Sequence, residues 1–133
     1  MPKSRLTLAA LVFFLLFATP AAAADLSGAW SGCWVSTSTG HSGPLQATFT
    51  PCGGGRYAVV FSGRFFKILP FRYSVTLRVV EDRGDAVTLA GSSFLGRLFG
   101  TFTYRADATD CHFEASYSSK KDAGIFRLDR RQD

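Results

Sequence analysis

Regular alternation of apolar and polar residues is the feature that most restricts how this chain can fold. In the stretch 71–79, every second position carries an apolar residue, and arginine, serine or threonine fills the positions between. The apolar residues of this stretch are Phe71, Tyr73, Val75, Leu77 and Val79. Side chains of an extended strand point alternately to opposite faces, so this period of two predicts a strand with one buried face.

The same alternation recurs along the chain and predicts eight strands. Clusters of turn-forming residues separate them, such as those at 40–43, 53–55 and 82–85. No stretch longer than a turn has the period of an amphipathic helix. An even number of short strands with short connections predicts an all-β, antiparallel up-and-down barrel, with a β-sandwich as the alternative. The predicted strands lie near 28–36, 43–51, 56–66, 71–81, 86–93, 97–106, 111–118 and 123–130.

The first 24 residues have the order of features found in export signals. Lys3 and Arg5 precede an apolar run at 6–18, and Ala22 and Ala24 supply the small residues that signal peptidase accepts. The run is shorter than the roughly 20 residues that a membrane-spanning helix needs. We therefore expect cleavage after Ala24, a single barrel domain over 25–133, and a secreted or periplasmic protein.

The charge of the mature chain is mild. Loss of Lys3 and Arg5 with the signal leaves 13 Lys and Arg against 10 Asp and Glu, a formal charge of +3. The arginines are scattered singly, whereas a nucleic-acid-binding protein clusters its basic residues on one face. We expect no nucleic-acid partner and, after signal cleavage, no transmembrane segment. The sequence leaves the oligomeric state open.

Three cysteines lie in the mature chain, at Cys33, Cys52 and Cys111. An exported protein meets an oxidising compartment, where disulfides form and persist. In an up-and-down barrel, the second and sixth connections emerge at the same end, which brings Cys52 and Cys111 to that end while Cys33 lies mid-strand. We expect a Cys52–Cys111 disulfide, with Cys33–Cys52 as the alternative. The role of Cys33 stays open.

Gly28-Ala29-Trp30 on the first predicted strand resembles the Gly-x-Trp motif that opens lipocalin and avidin-type, calycin-like barrels. In that superfamily the tryptophan packs across the closed end of the barrel, so the resemblance implies the same position for Trp30. The residue patterns that contact biotin or retinoids in those families are not recognisable in this chain. The segment 61–73 is also similar to segments of small exported bacterial proteins of unknown function, a resemblance that implies no activity.

The residues that could support catalysis do not form a recognisable pattern. A triad of Ser42, His41 and Asp110 would need all three within hydrogen-bond reach, which their spacing does not indicate. Asp110 and Glu114 fall in a turn and on a strand, with no cleft between them for glycoside hydrolysis. The glycines at 53–55 are not followed by a helix that could complete a phosphate-binding loop. We expect no enzymatic activity, no catalytic residues, no metal site and no cofactor.

Two predicted connections break the rule that turns are polar. The third, around 65–71, and the fifth, around 94–99, are rich in phenylalanine and leucine, and Arg64, Lys67, Arg72 and Arg97 flank them. An up-and-down topology places both at the same end, where exposed apolar patches mark binding surfaces. The candidate site residues are Phe66, Lys67, Ile68, Leu69, Phe94, Leu95 and Arg97.

These residues lead to two main functional hypotheses. The first is an exported, non-enzymatic barrel that binds a small apolar or amphipathic ligand, or a cell-envelope partner, at this apolar end. The alternative is a structural or interaction protein of the envelope with a filled core and no ligand. For the apolar connections themselves, the alternative to exposure is that they fold inward and cork the barrel. A hydrolase is a third and weaker hypothesis. The sequence does not decide whether the interior is filled or hollow.

The export signal predicts that the exported protein begins at Asp25. Intact-mass spectrometry of the protein recovered from the export compartment should show the 109-residue chain that remains after residues 1–24 are removed. An Ala24→Gln variant should retain the signal, because the peptidase requires a small residue at that position. Wild-type exported protein that still carries Met1 would contradict the prediction.

Overall fold

A computed structural model of the protein describes residues 24–66 and 68–132. Its strands are β1 (Gly28–Ser36), β2 (Ser42–Gly53), β3 (Arg56–Phe65), β4 (Leu69–Asp82), β5 (Ala86–Phe94), β6 (Thr101–Thr109), β7 (His112–Ser118) and β8 (Ala123–Arg130). One helical turn, α1 (Gly96–Phe99), lies between β5 and β6. Apart from Ala24, the predicted signal falls outside the described residues, as does Lys67.

The eight strands form one closed barrel in which each strand pairs antiparallel with its neighbour in sequence. The barrel closes where β1 pairs with β8 over seven residue pairs, from Trp30 opposite Arg130 to Ser36 opposite Gly124. The up-and-down barrel predicted from the alternation is confirmed, and the sandwich alternative is wrong. Closure gives every strand a hydrogen-bonded neighbour on both sides, and the pairing is shortest between β4 and β5, where it spans Arg78–Asp82 and Val87–Ala90.

The inward faces of the strands supply the core. On β6, for example, Phe102, Tyr104, Ala106 and Ala108 are buried, while the residues between them are exposed. The same alternation runs along β2 and β7. The alternation in sequence therefore becomes an apolar interior and a solvated outer wall.

One end of the barrel is plugged by aromatic rings. The ring centroids of Trp30, Phe49 and Phe113 lie 5.3–6.4 Å apart, and all three side chains are buried. The indole Nε1 of Trp30 donates to the carbonyl of Leu26 at 2.9 Å, so the segment before β1 folds over the plug. The Arg130 guanidinium lies 4.7 Å from the Trp30 ring centroid. We call this the closed end.

Arg130 also ties together the chain segments at the closed end. Its side chain donates hydrogen bonds to the backbone carbonyls of Asp25, Ser27 and Asp110. These carbonyls come from the segment before β1 and from the β6–β7 connection. A single side chain on the last strand thus joins that strand to two other segments of the sequence over the buried tryptophan.

Two glycines allow the first and last strands to approach closely. A Cβ atom at Gly32 would lie 1.8 Å from the carbonyl oxygen of Arg127, and one at Gly124 would lie 2.1 Å from the carbonyl oxygen of Val35. Both obstructing atoms belong to the backbone of the opposite strand, which cannot move aside as a side chain can. Glycine at these positions is therefore a requirement of the seam that closes the barrel.

The sixth strand begins at Thr101, so the prediction that it starts near residue 97 is wrong. Gly96 and Gly100 have positive φ angles of 88° and 73°, a conformation that glycine adopts without steric cost. The amide of Leu95 donates to the carbonyl of Gly100 at 2.9 Å, which closes the loop around α1. These backbone turns override the alternating pattern of Leu98 and Gly100.

The predicted disulfide between Cys52 and Cys111 is also wrong, because all three cysteines are free and exposed. Cys52 and Cys111 do share the closed end, as the topology required. Around the barrel, however, β1 and β8 lie between β2 and β7. Three strand steps of about 4.8 Å separate the two positions along the wall by about 14 Å. A disulfide requires Cα atoms within about 7 Å. The Cys33–Cys52 alternative is absent too, because Cys33 lies opposite Pro44 in the β1–β2 register, eight residues before Cys52.

The seam predicts that Gly32→Ala destabilises the barrel. The added methyl group must displace backbone of β8, and overpacking of this kind costs about 1–3 kcal/mol. Urea unfolding followed by tryptophan fluorescence measures the change. Ser31→Ala, one residue away on the same strand, is the matched control and should change stability by less than about 0.5 kcal/mol. Equal stability of the Gly32→Ala and Ser31→Ala variants would refute the requirement.

Candidate functional site

The end opposite the plug is open. Four connections meet there: β1–β2, β3–β4, β5–β6 and β7–β8. Between them a cavity of about 620 Å³ opens into the barrel interior. We call this opening the mouth, and it is the candidate site.

The cavity wall is mainly aromatic. The rings of Trp34, Phe65 and Phe71 form a cluster in which Trp34 lies 5.3 Å from Phe65 and 6.5 Å from Phe71, and Phe65 and Phe71 are 4.5 Å apart. The Trp34 indole also donates to the carbonyl of Arg64 at 3.3 Å, which fixes its orientation. Edge-to-face packing of this kind holds the rings in defined positions. The apolar and aromatic lining residues are Trp34, Phe65, Phe71, Tyr73, Leu95, Leu98, Phe99, Phe102, Tyr117 and Phe126.

The cavity ends at a layer of packed rings in the middle of the barrel. Phe126 lines the cavity, and its ring contacts those of Phe61 and Tyr104 at centroid distances of 5.1 and 6.1 Å. Phe61 and Tyr104 are buried behind it. The interior is therefore filled from the closed end to this layer, and the cavity lies between the layer and the mouth.

A few polar groups face the cavity among the rings. The Asp122 carboxylate accepts hydrogen bonds from the hydroxyls of Ser36 at 2.6 Å and Tyr117 at 3.2 Å. Burial raises the pKa of Tyr117, and the neighbouring Asp122 carboxylate raises it further. Burial also raises the pKa of Tyr73. Both phenols therefore stay neutral at physiological pH and offer hydrogen bonds without charge.

Exposed apolar side chains surround the mouth. Their exposed fractions run from 48% to 83%, in contrast to the buried core beneath them. They come from the β3–β4 and β5–β6 connections and the strand ends beside them. We call this set the apolar lip: Phe66, Ile68, Leu69, Phe94, Leu98 and Phe99.

The predicted site residues divide between the lip and the cavity. Phe66, Ile68, Leu69 and Phe94 belong to the lip, whereas Leu95 is half-buried and lines the cavity. Arg97 is exposed on α1. Lys67 lies outside the described residues. All the described members of the predicted set lie at the mouth.

Sequence reasoning missed most of the cavity wall. Tyr73, Phe102, Tyr117 and Phe126 read as ordinary core residues, because each occupies an inward position of a strand. The one sequence feature that they share is a position near those strand ends that meet at the mouth. Asp122 belongs to the polar β7–β8 connection, and no feature of the sequence indicates that it faces the cavity.

The charge around the mouth is cationic. Arg64, Arg72, Arg97, Lys120 and Lys121 are exposed there. Asp122 is the one acidic residue in the described parts of the four mouth connections, and its carboxylate is already hydrogen-bonded. Lys121 Nζ also donates to the carbonyl of Leu98 at 3.0 Å, which joins the β7–β8 and β5–β6 connections.

The structure does not assemble the catalytic triad considered from the sequence. His41 and Ser42 lie at the mouth, where the His41 ring is 5.0 Å from that of Phe66. Asp110 lies in the β6–β7 connection at the closed end. His112 lies on the outer surface, with Nδ1 2.8 Å from Asp129 and Nε2 3.7 Å from Glu114. The described residues include no group of three His, Cys, Asp or Glu side chains placed to hold a metal ion.

Comparisons with protein-family models, with curated proteins and with solved structures find no match to this chain. Within residues 24–66 and 68–132, the structure contains no helix long and apolar enough to cross a membrane.

The His112 cluster predicts a small pH dependence of stability. The hydrogen bond to Asp129 raises the pKa of His112 above its ordinary 6.5, and Glu114 adds to the shift. A raised pKa in the folded state means that the stabilisation is complete below the unfolded pKa and is lost as pH rises through the folded pKa. The side chains of His112 and Glu114 are about half exposed and that of Asp129 is 78% exposed, so the loss should stay under about 1 kcal/mol.

Imidazole NMR titration and urea unfolding between about pH 5 and about pH 9 test this prediction. Asp129→Asn should lower the His112 pKa, and His112→Gln should remove this part of the pH dependence. A His112 pKa at or below 6.5 in the folded protein would contradict it.

Proposed function

We propose that this chain is a non-enzymatic binding protein that takes up one amphipathic small molecule at its open end. The apolar part of the molecule enters the cavity, and its anionic group stays at the mouth. The observation that carries this proposal is the 620 Å³ aromatic cavity that opens to solvent at one end of the barrel.

The size and lining of the cavity support a small-molecule ligand. Ligand pockets typically measure about 300–1,000 Å³ and are mostly apolar, with a few polar groups that set orientation. Here the rings of Trp34, Phe71 and Phe126 provide the apolar surface, and Tyr73 and Tyr117 contribute neutral hydroxyls. Each methylene group of a ligand that leaves water for such a surface contributes about 0.8 kcal/mol.

The cations at the mouth support an anionic headgroup. Arg72 and Lys121 both line the outer part of the cavity. The Asp122 carboxylate accepts hydrogen bonds from Ser36, Tyr117 and the amide of Ala123. Because it is not paired with Arg72 or Lys121, these two cations can contact the anionic group of a ligand. Charge-assisted hydrogen bonds from arginine and lysine suit carboxylate and phosphate groups.

The alternative of a structural envelope protein with a filled core is less well supported. A filled core would leave little space beside Phe102 and Phe126, whereas both line the cavity. The separation of His41 from Asp110 supports a non-enzymatic role over a hydrolase. Trp30 lies across the closed end, which supports the proposed resemblance to calycin-like barrels. The charged start and apolar run at 1–24 support export.

A dansyl-labelled undecanoic acid tests the proposal as a fluorescent probe. Wild-type protein should bind the acid with enhanced dansyl emission, because binding moves the probe out of water and places it among the aromatic rings of the cavity. Leu95→Trp should weaken binding at least tenfold, since the added ring occupies the cavity that Leu95 lines. Val80→Trp, at an exposed apolar position of β4 outside the cavity lining, is the matched control and should bind as wild type.

The methyl ester of the same probe tests the role of charge. Arg72→Gln should weaken binding of the acid about threefold to tenfold and leave the ester unchanged, because only the acid gains a charge-assisted hydrogen bond. Arg78→Gln, an exposed arginine on the same strand that does not line the cavity, is the control. Absence of binding by the wild type, or equal binding by the Leu95→Trp variant, would contradict the proposed function.

A further inference from the structure

The apolar lip is present where folding does not require it. Its side chains extend from two connections that are distant in sequence yet lie at one end of the barrel. Phe66 has a φ angle of 53°, a left-handed conformation that is rare and strained for a bulky residue. Its ring is nevertheless 67% exposed, so packing against the core does not offset that strain. An exposed apolar set of this kind marks an interaction surface.

The positive charge around the apolar lip favours an anionic partner over a second copy of the chain. Arg64, Arg72, Arg97, Lys120 and Lys121 lie around the lip. A second copy of the chain docked lip to lip would bring one ring of cations against the other, which like-charge repulsion disfavours. An apolar centre with a cationic periphery instead matches the surface of an anionic lipid bilayer, with acyl chains beneath negatively charged headgroups.

The cavity and the lip share residues. Leu98 and Phe99 belong to the lip and also line the cavity. An apolar path therefore runs without interruption from the outermost side chains of the lip into the barrel. A molecule with an acyl chain could move along this path without exposing that chain to water.

We infer that the open end docks on an anionic lipid bilayer by inserting the apolar lip among the headgroups, with the mouth facing the membrane. The inference rests on the proposed function for what enters the cavity, and names the membrane as the source or destination of that molecule. Docking itself depends on the lip and the surrounding cations.

Vesicle flotation tests the inference. Wild-type protein should float with vesicles that contain phosphatidylcholine and phosphatidylglycerol, and should float at least tenfold less with phosphatidylcholine alone. Added salt should weaken flotation, because it screens the cations at the mouth. The double variant Ile68→Asp with Leu69→Asp should lose flotation at least tenfold, whereas Val80→Asp, at another exposed apolar position, should float as wild type. Both changes are at exposed positions, and circular dichroism checks that each variant is folded.

The outcomes separate docking from ligand binding. The Ile68→Asp with Leu69→Asp variant should still bind the dansyl acid from solution, and Leu95→Trp should still float. The inference is supported if the Ile68→Asp with Leu69→Asp variant no longer floats with vesicles but still binds the probe. Wild-type protein that fails to float, or floats equally with both vesicle types, overturns it even if the cavity binds the probe. Concentration-dependent dimerisation that the double variant abolishes, without flotation, would assign the lip to a second copy instead.

Discussion

The pairing of β1 with β8 is the interaction on which the rest of the structure depends. It closes the barrel, and closure alone gives every strand two hydrogen-bonded neighbours. The seam is tight enough to exclude a Cβ atom at Gly32 and at Gly124. Two residues without side chains thus allow the backbones to meet, and the inward faces of all eight strands then share one interior. Without that closure there would be no enclosed cavity and no mouth.

The barrel has a direction because its two ends are built differently. At one end, Trp30 is covered by Leu26 and by the guanidinium of Arg130, which also holds neighbouring backbone carbonyls. At the other end, rings line a cavity that stops at the layer where Phe126 meets Phe61 and Tyr104. A closed barrel of eight strands is wide enough for either arrangement. Side-chain placement, and not strand number, decides which half is filled.

The mouth departs from the rules that the rest of the sequence follows. Elsewhere the connections are polar and the strands alternate, so local preference and overall fold agree. In the two apolar connections, local preference and overall fold disagree: the apolar side chains of Ile68, Leu69 and Phe94 are exposed, and Phe66 has a strained backbone. Departures of this kind concentrate at functional sites, where a binding requirement outweighs a small loss of stability. The proposed ligand site and the proposed membrane contact both lie at this departure.

The sequence by itself determined the number of strands, their order and the end at which the apolar connections lie. Alternation is a local property, and short connections leave an up-and-down path as the simplest arrangement, so Phe66 and Phe94 could be placed at one end without coordinates. Only the tertiary structure decided distances around and across the barrel. Cys52 and Cys111 share an end but lie three strand steps apart, because closure places β1 and β8 between their strands. Phe126 and Phe113 alternate inward in the same way, yet one borders a cavity and the other fills the plug. That difference depends on which rings face each other across the interior, and a pattern along a single strand carries no information about the opposite wall.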